Sequence, residues 1–262
     1  MGTFADAIAI GADGSVTLDP QWAVGTKIHG GYLLALLGRA ALTGPGTLPH
    51  LTAISGTFLT APDAGPARVT AEPLRAGRTT AQIRTQLWQG ATLCTEAMVT
   101  LGTLDDTDPW WSGLDPVDLP DETSCFRTPS QAPGGFHIPL MDVVEQHLHP
   151  EHIGFAFGTP ARHGHIAGWQ RLADGSDWDP LSLLVALDPV PPVSLDLGIP
   201  GWVPTIQLTA YLRRLPAPGP VRVRLSAGDI TGERMDETAH AWDSKGRLVG
   251  QAIQYAAVRP PA

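Results

Sequence analysis

The sequence predicts an α+β protein built from two copies of one unit, each with a buried helix and a run of antiparallel strands. Two observations lead to this prediction. In both halves an apolar helical segment precedes several strand-like segments that Gly, Pro or Asp turns separate, which is typical of α+β units and not of alternating βαβ units. The two halves also share residues at one constant spacing, which indicates a duplication.

The first helix is predicted at Tyr32–Ala41 and is apolar on nearly every face, as expected of a buried helix. It follows His29-Gly30-Gly31, where the two glycines let other groups approach the backbone closely. The unpaired N–H groups and the dipole of a helix start attract negative charge. This start is therefore a candidate site for a carbonyl oxygen that gains charge in a reaction, and close packing of a buried helix is the alternative.

Around this helix the first half reads as strands and turns. Alternation predicts a strand at Phe4–Ile10, which a turn connects to a second hairpin strand at Val16–Leu18. The helix is expected to stop near Thr43-Gly44-Pro45-Gly46. Three or four strands should follow, at about Leu51–Thr60, Ala67–Leu74, Thr79–Gln89 and Thr92–Leu101.

A connecting segment is predicted at 104–135, between an N-terminal unit at 1–103 and a C-terminal unit at 136–262. This segment is rich in Pro and Asp and lacks periodicity. It contains Trp110 and Trp111, which would be costly to leave in water. We therefore expect it to pack partly against the two units.

The second half repeats the plan of the first. Asp179 is a good N-cap and Pro180 suits the first helical position, so the second buried helix is predicted at Leu181–Leu187. The remaining segments are apolar stretches at Phe136–Glu145 and Phe155–Phe157, a short strand at Gly168–Leu172, and strands at about Thr205–Leu215, Val221–Ala227, Asp236–Trp242 and Leu248–Val258.

Six identities set the register of the duplication at a spacing of 154 residues. Pro62, Gly65, Pro66, Arg68, Val69 and Trp88 recur as Pro216, Gly219, Pro220, Arg222, Val223 and Trp242. The hairpins that follow the two tryptophans differ by two turn residues. A unit of about 120 residues is therefore duplicated.

Composition argues against several classes of function. The 262 residues carry a net charge of −9, which disfavours nonspecific binding to nucleic acid. Two cysteines make no disulfide framework, and no apolar run reaches the roughly 20 residues that span a bilayer. The N-terminus lacks the pattern of a signal peptide. These features predict a cytoplasmic protein without a membrane partner.

The chain resembles the double-hotdog acyl-CoA thioesterase family, which includes bacterial acyl-CoA thioesterase II. The resemblance covers nearly the whole chain and rests on four motifs in order: His29-Gly30-Gly31-Tyr32-Leu33, Ala76-Gly77-Arg78-Thr79, Trp202-Val203-Pro204-Thr205-Ile206-Gln207-Leu208-Thr209, and the terminal Asp243–Gln254. It implies two fused hotdog units, each a curved antiparallel sheet wrapped around a buried helix. It also implies hydrolysis of acyl-CoA or another acyl thioester, and assembly into a homo-oligomer. No metal and no cofactor is implied, since coenzyme A belongs to the substrate.

In this family an Asp, a Thr or Ser, and a Gln of the second unit hold the attacking water, and helix-start amides polarise the thioester carbonyl. By position the Gln falls on Gln254, and the hydroxyl residue falls on Ser226 or Thr231. The Asp position holds Gln207 instead. The candidate substrate-binding residues are His29, Gly30, Gly31, Tyr32 and Asp179.

Gln207 is a departure with consequences, because an amide cannot take a proton from water. Another carboxylate could act as the base, with Asp179, Glu96 and Glu237 as candidates. Alternatively, amides and hydroxyls alone orient the water in a slow enzyme, or the protein binds thioesters without cleaving them. If the site is a weakened version of the family's, Gln207→Asp should raise the rate. A hotdog dehydratase or hydratase is a further alternative, which usually needs an Asp and a His near the helix start, where only His29 is in place.

Two other motifs suggest chemistry less strongly. The histidines in 147–152 and 163–165 could suggest a metal site, but Pro150 breaks any helix that would align them, which favours a solvated loop. Cys94 lies on an apolar strand, which favours a place in the core over a nucleophilic role.

Overall fold

The first half of the chain has one long helix among short and long strands. Its elements are α1 (Phe4–Ala7), β1 (Ser15–Leu18), β2 (Ala23–Val24), β3 (Lys27–Ile28), α2 (Gly30–Leu42), β4 (His50–Phe58), β5 (Gly65–Ala76), β6 (Ala81–Gln89) and β7 (Thr92–Gly102). The second half has β8 (Phe126–Arg127), α3 (Leu140–Val143), β9 (Val144–Leu148), β10 (His165–Leu172), α4 (Leu183–Ala186), β11 (Thr205–Leu212), β12 (Val221–Thr231), β13 (Arg234–Trp242) and β14 (Leu248–Ala257).

These elements come from a computed structural model that describes residues 2–44, 48–132 and 135–260, within which twelve strands form one antiparallel sheet. The strand order is β1-β5-β6-β7-β4-β11-β14-β13-β12-β10-β9-β8. The first unit contributes the first five neighbouring strands, and the rest of the chain contributes the other seven, including β8, which lies within the predicted connecting segment. The predicted fold class is confirmed: the protein is α+β, with two fused units whose sheets curve around buried helices.

Helix α2 fills the first unit. Ten of its residues are buried and Arg39 is exposed. Leu34, Leu36 and Leu37 have no exposed surface, and full burial stabilises the fold by roughly 1.5–3 kcal/mol for each such side chain. Its counterpart in the second unit is a turn followed by α4, and all of Leu181–Leu187 is buried, as predicted.

A local twofold axis relates the two units. Strands β4 and β11 join the two units, and Ser55 lies opposite Thr209, its own equivalent 154 residues later. Their hydroxyls are 2.8 Å apart and share a hydrogen bond. In the two halves of the sheet, Arg68 pairs with Trp88 and Arg222 with Trp242, so the spacing read from the sequence holds in the strand register.

Two predictions at the N-terminus are wrong. The segment at Phe4–Ile10 is not a strand, because Thr3 and Asp6 form a capping box that starts helix α1. Strand β1 does not close a hairpin with that segment and pairs with β5 instead. Helix α2 ends at Leu42, close to the predicted stop, and the Pro45-Gly46 part of that prediction lies outside the described residues.

The connecting segment corrects another expectation. Trp110 is fully exposed and Trp111 is 74% exposed, so neither tryptophan packs against the two units. Polar contacts hold the segment instead: the Arg214 guanidinium donates to the Thr107 carbonyl at 2.7 Å, and the Trp169 indole donates to the Pro120 carbonyl at 2.9 Å. In the described part of the chain, no helix has the length and apolar character needed to cross a membrane.

Candidate active site

A buried acid and an amide face each other on the inner surface of the second unit. Glu237 on β13 and Gln254 on β14 are direct cross-strand partners, on the sheet face that also carries the buried Leu208. Gln254 Nε2 donates to Glu237 Oε2 at 3.3 Å. Strand alternation explains the placement, since Met235, Glu237 and Ala239 all point inward along β13.

Glu237 has the environment of a proton acceptor. The side chain is 2% exposed, and burial is the main cause that raises its pKa from 4.5 to about 7. The negative charges of Asp188 and Asp236 raise this pKa further, while the Val193 N–H, which donates to Glu237 Oε1 at 2.7 Å, lowers it. A general base works best when its pKa lies near the operating pH. Glu237 meets that condition at neutral pH.

Asp188 connects this acid to the start of helix α2 in the other unit. The Gly31 N–H donates to Asp188 Oδ2 at 2.7 Å. The carboxylate thus lies at the helix N-terminus, where the dipole stabilises negative charge. Because the negative charge of Asp188 also raises the pKa of Glu237, this one residue of the second unit interacts with both the helix start and the acid.

Both nitrogens of the His29 ring bind protein groups at the same place. Nδ1 accepts from the Tyr32 N–H at 3.4 Å, so the ring proton is assigned to Nε2, which lies 2.6 Å from the Asp188 carbonyl oxygen. Nε2 is also 3.3 Å from Asp188 Oδ2. His29 is 5% exposed. The ring therefore caps helix α2 and ties it to the second unit.

Gly30 supplies the remaining amide of the helix start. Among the described residues its N–H has no hydrogen-bond partner, whereas the N–H groups of Gly31 and Tyr32 are both paired. A side chain here would force its neighbours to shift, because a Cβ on Gly30 would lie 2.7 Å from Asp188 Oδ2 and 3.2 Å from the Phe58 ring. Among the described residues, the helix start therefore offers one free backbone donor beside the Asp188 carboxylate.

Several residues named from the sequence lie elsewhere. Gln207 pairs with Tyr255 on the outer face of the sheet, opposite to the face that carries Gln254. Ser226 is also on the outer face, paired with Thr238, and Thr231 is exposed at a hairpin, where its hydroxyl donates to Asp229. The structure therefore does not bring the expected Asp-position residue and hydroxyl residue together with Gln254.

The other candidates have structural partners. The Asp179 carboxylate accepts from the Leu181 and Ser182 N–H groups and caps the turn before α4. The Tyr32 hydroxyl donates to the Ala7 carbonyl at 2.7 Å, and burial raises its pKa to about 12. Glu96 lies on the outer face in an ion pair with Arg84. Cys94 is buried in the core, as predicted.

Sequence reasoning missed Asp188. The available signal was its position, since it is the first charged residue after the apolar run of the second helix and precedes the proline-rich stretch 189–192. Only the fold brings it to Gly31, a residue more than 150 positions away.

Four histidines of the second unit form a row of rings. Ring centroids are 4.7 Å apart for His149 and His152, 4.7 Å for His152 and His165, and 5.7 Å for His163 and His165. His152 is buried, which corrects the expectation of a solvated loop, and burial lowers its pKa to about 4. Within residues 2–44, 48–132 and 135–260, no cluster of three or more His, Cys, Asp or Glu is arranged to hold a metal ion.

Comparison with known proteins matches both halves of the chain. Residues 18–102 match the acyl-CoA thioesterase N-terminal domain, and residues 116–258 match the acyl-CoA thioesterase C-terminal domain. The uncharacterized protein Rv0499 of Mycobacterium tuberculosis is 31% identical over 260 residues, which cover 92% of this chain and 89% of the relative.

Solved structures share the fold of this chain. A protein of Thermobifida fusca YX, named as a candidate thioesterase II, superposes with a TM-score of 0.88 at 28% identity and covers 99% of this chain and 98% of its own. A hot dog fold protein of unknown function from Alicyclobacillus acidocaldarius has a TM-score of 0.86 at 20% identity, with full coverage of both chains. The dehydratase domain of PpsC from Mycobacterium tuberculosis, in complex with C12:1-CoA, shares the fold at a TM-score of 0.55 and 14% identity, covering 94% of this chain and 92% of that domain.

The two domain matches together span most of the chain, with the N-terminal domain matched before the C-terminal domain. With a relative above 30% identity along nearly the full length, they establish that this chain belongs to the acyl-CoA thioesterase family.

Proposed function

We propose that this protein hydrolyses acyl-CoA thioesters to a free acid and coenzyme A, with Glu237 as the general base. The observation that carries the proposal is the buried pair of Glu237 and Gln254, joined at 3.3 Å, in a chain of the acyl-CoA thioesterase family. The pair supplies the proton acceptor that Gln207 cannot provide. It corresponds to the alternative in which a carboxylate other than the family's Asp acts on water.

Residues of both units take part in the proposed reaction. Glu237 in its charged form takes a proton from a water that the Gln254 amide orients, and the water oxygen attacks the thioester carbonyl carbon. The Gly30 N–H donates to the oxygen that becomes negative, in the role of an oxyanion donor. When the intermediate collapses, the carbon–sulfur bond breaks, and the proton held by Glu237 is available to the leaving thiolate. No covalent enzyme intermediate is needed.

Dehydration or hydration of a thioester is the second candidate, because His29 and Asp188 lie together near the helix start, at 3.3 Å. Two observations favour hydrolysis over it. Both ring nitrogens of His29 are hydrogen-bonded to backbone groups, and the ring is buried. Neither nitrogen is therefore free to exchange a proton with a substrate. The Asp188 carboxylate likewise accepts from the Gly31 N–H.

An assay of free thiol release over a panel of acyl-CoA chain lengths tests the proposal. The parent should release thiol, Glu237→Gln should lose about 100- to 10,000-fold in turnover, and the matched outer-face variant Glu96→Gln should keep the parent rate. A change in enoyl absorbance without thiol release would favour hydration. Saturable binding of acyl-CoA without either reaction would favour a non-catalytic binding protein.

A further inference from the structure

Two arginines of strand β12 lie side by side on the outer face of the second unit. Arg222 and Arg224 alternate along the strand with buried apolar residues, so both side chains leave the face that also carries Ser226. Residues two apart in a strand have Cα atoms about 7 Å apart. Both arginines are half-buried. This part of the outer face therefore carries two partly desolvated positive charges at neighbouring positions.

Two tryptophans restrict the guanidinium groups. In the strand register Arg222 lies between Trp169 of β10 and Trp242 of β13. The guanidinium carbon of Arg222 is 4.9 Å from the centre of the Trp169 ring, and that of Arg224 is 5.5 Å from the centre of the Trp242 ring. Such stacking occupies the flat face of a guanidinium and leaves the N–H groups at its edge for an acceptor. Side chains that are already ordered lose less entropy when a ligand binds.

Neither arginine has a counter-charge among the described residues. In residues 2–44, 48–132 and 135–260, no ion pair or hydrogen bond involves the side chain of Arg222 or Arg224, and the Nε of each is enclosed and unpaired. Their terminal nitrogens are not among the enclosed atoms, so a ligand can reach them. Glu122, which the connecting segment brings to the same face, is already bound to Arg171 and His147. Since an unpaired charge that is partly buried costs free energy, an anion bound here would offset that cost.

The same place has an excess of hydrogen-bond donors. Of the eight enclosed and unpaired side-chain atoms in the described chain, four lie on two directly paired couples of β12 and β13, Arg222 with Trp242 and Arg224 with His240. An arginine Nε and an indole nitrogen are donors only. Burial and the positive charge of Arg224 lower the pKa of His240, so its ring is mostly neutral at pH 7. The group that these residues lack is therefore an acceptor.

The first unit does not repeat this arrangement. Arg68 pairs with Trp88, as Arg222 pairs with Trp242, but the position equivalent to Arg224 holds Thr70. Arg68 is also exposed. The chain thus contains a single arginine on a tryptophan strand pair as an internal control.

We propose that Arg222 and Arg224 bind a phosphate group on the outer face of the second unit. A carboxylate has two oxygens, which one guanidinium fork occupies, whereas a phosphate group has three or more and accepts from both forks. Such a group is found in the nucleotide part of coenzyme A and in free phosphates. The experiment separates these two sources.

Calorimetric titration with adenosine 3′,5′-bisphosphate and with inorganic phosphate tests the site. We expect the parent to bind both probes, and Arg222→Gln and Arg224→Gln each to raise Kd by about 10- to 100-fold. Arg68→Gln should keep the parent Kd. Arg224→Lys keeps the charge and most of the stem but loses the fork, so it should fold and bind more weakly than the parent. A parent that binds neither probe at millimolar concentration, or variants that all bind like the parent, would overturn the proposal.

Titrations with coenzyme A and dephospho-coenzyme A identify the source. A loss of affinity in the glutamine variants for coenzyme A alone assigns the 3′-phosphate as the ligand, and a loss for both assigns the diphosphate. Unchanged affinity for both, with weaker binding of inorganic phosphate, assigns the site to a free phosphate. If sedimentation shows that the variants lose an oligomer while their binding of the probes is unchanged, the arginines form an interface between copies and the proposal is wrong. Because none of these measurements requires hydrolysis, failure of the proposed function leaves this result readable.

Discussion

Replacing Glu237 with Gln should change the pH dependence of stability in a defined direction. The free acid has a pKa of 4.5, and the folded protein raises it to about 7. Between these two values the folded state keeps a proton that the unfolded chain has lost, so stability falls as the pH rises through this window. The amide of the variant does not ionise in this window, so this loss of stability does not occur in the variant.

The size of the effect follows from the shift. Each pKa unit corresponds to 1.36 kcal/mol, so ionising Glu237 in the folded protein costs roughly 3 kcal/mol. Glu237→Gln keeps an oxygen to accept from the Val193 N–H, which limits other losses. Relative to the parent, the free energy of unfolding of the variant should therefore gain roughly 3 kcal/mol between about pH 4.5 and about pH 8.5.

Urea unfolding of both proteins at the two pH values measures this gain, with Glu96→Gln as the control for loss of an outer-face carboxylate. Parallel pH dependence of the parent and the Glu237→Gln variant would refute the reasoning, since it would mean that Glu237 titrates alike in the folded and unfolded states. The same outcome would remove the raised pKa as a reason to assign Glu237 as the base.

Three further predictions follow from the geometry. Asp188→Asn keeps an acceptor for the Gly31 N–H but removes a charge that raises the Glu237 pKa, so the acidic limb of the pH–rate profile should move to lower pH. Gly31→Ala places a Cβ 2.3 Å from the Leu184 carbonyl oxygen and should destabilise the fold by about 1–3 kcal/mol in urea unfolding, whereas Gly38→Ala meets the flexible end of Leu181 at 2.9 Å and should cost less. Gln254→Ala should lose most of the thiol-release activity, and Gln207→Asp should leave the rate unchanged because its side chain is on the outer face, contrary to the increase expected from the resemblance.

The sequence predicted most of the framework, because apolar periodicity and turn residues act locally. Both buried helices, the long strands and the duplicated register are recognisable in this way. The N-terminal segment was misassigned because its alternating pattern competes with the capping box of Thr3 and Asp6, which decides the local structure. Trp110 and Trp111 were expected to pack because of their area, but polar contacts anchor the segment that carries them.

The site was less predictable, because it depends on which face each strand residue occupies. An irregularity between Thr205 and Gln207 shifts the register of β11, and a shift of one residue moves a side chain to the other face. An alignment of sequence motifs does not reveal that shift. The link from Asp188 to Gly31 crosses between units, so no local pattern could have placed it.

The strand registers identify the residues of the first unit that are equivalent to Glu237 and Gln254. In the first unit the equivalent positions hold the cross-strand pair of Ile83 and Val99, where the second unit holds Glu237 and Gln254. A dimer of identical subunits would carry the acid and the amide at both places and would bear the cost of two buried carboxylates. Joining the copies in one chain frees them to diverge, so that one half carries the acid and the amide and the other uses the same position for apolar packing. We therefore expect one active site per chain, and a titration with a tight-binding inhibitor should reach its end point at one equivalent.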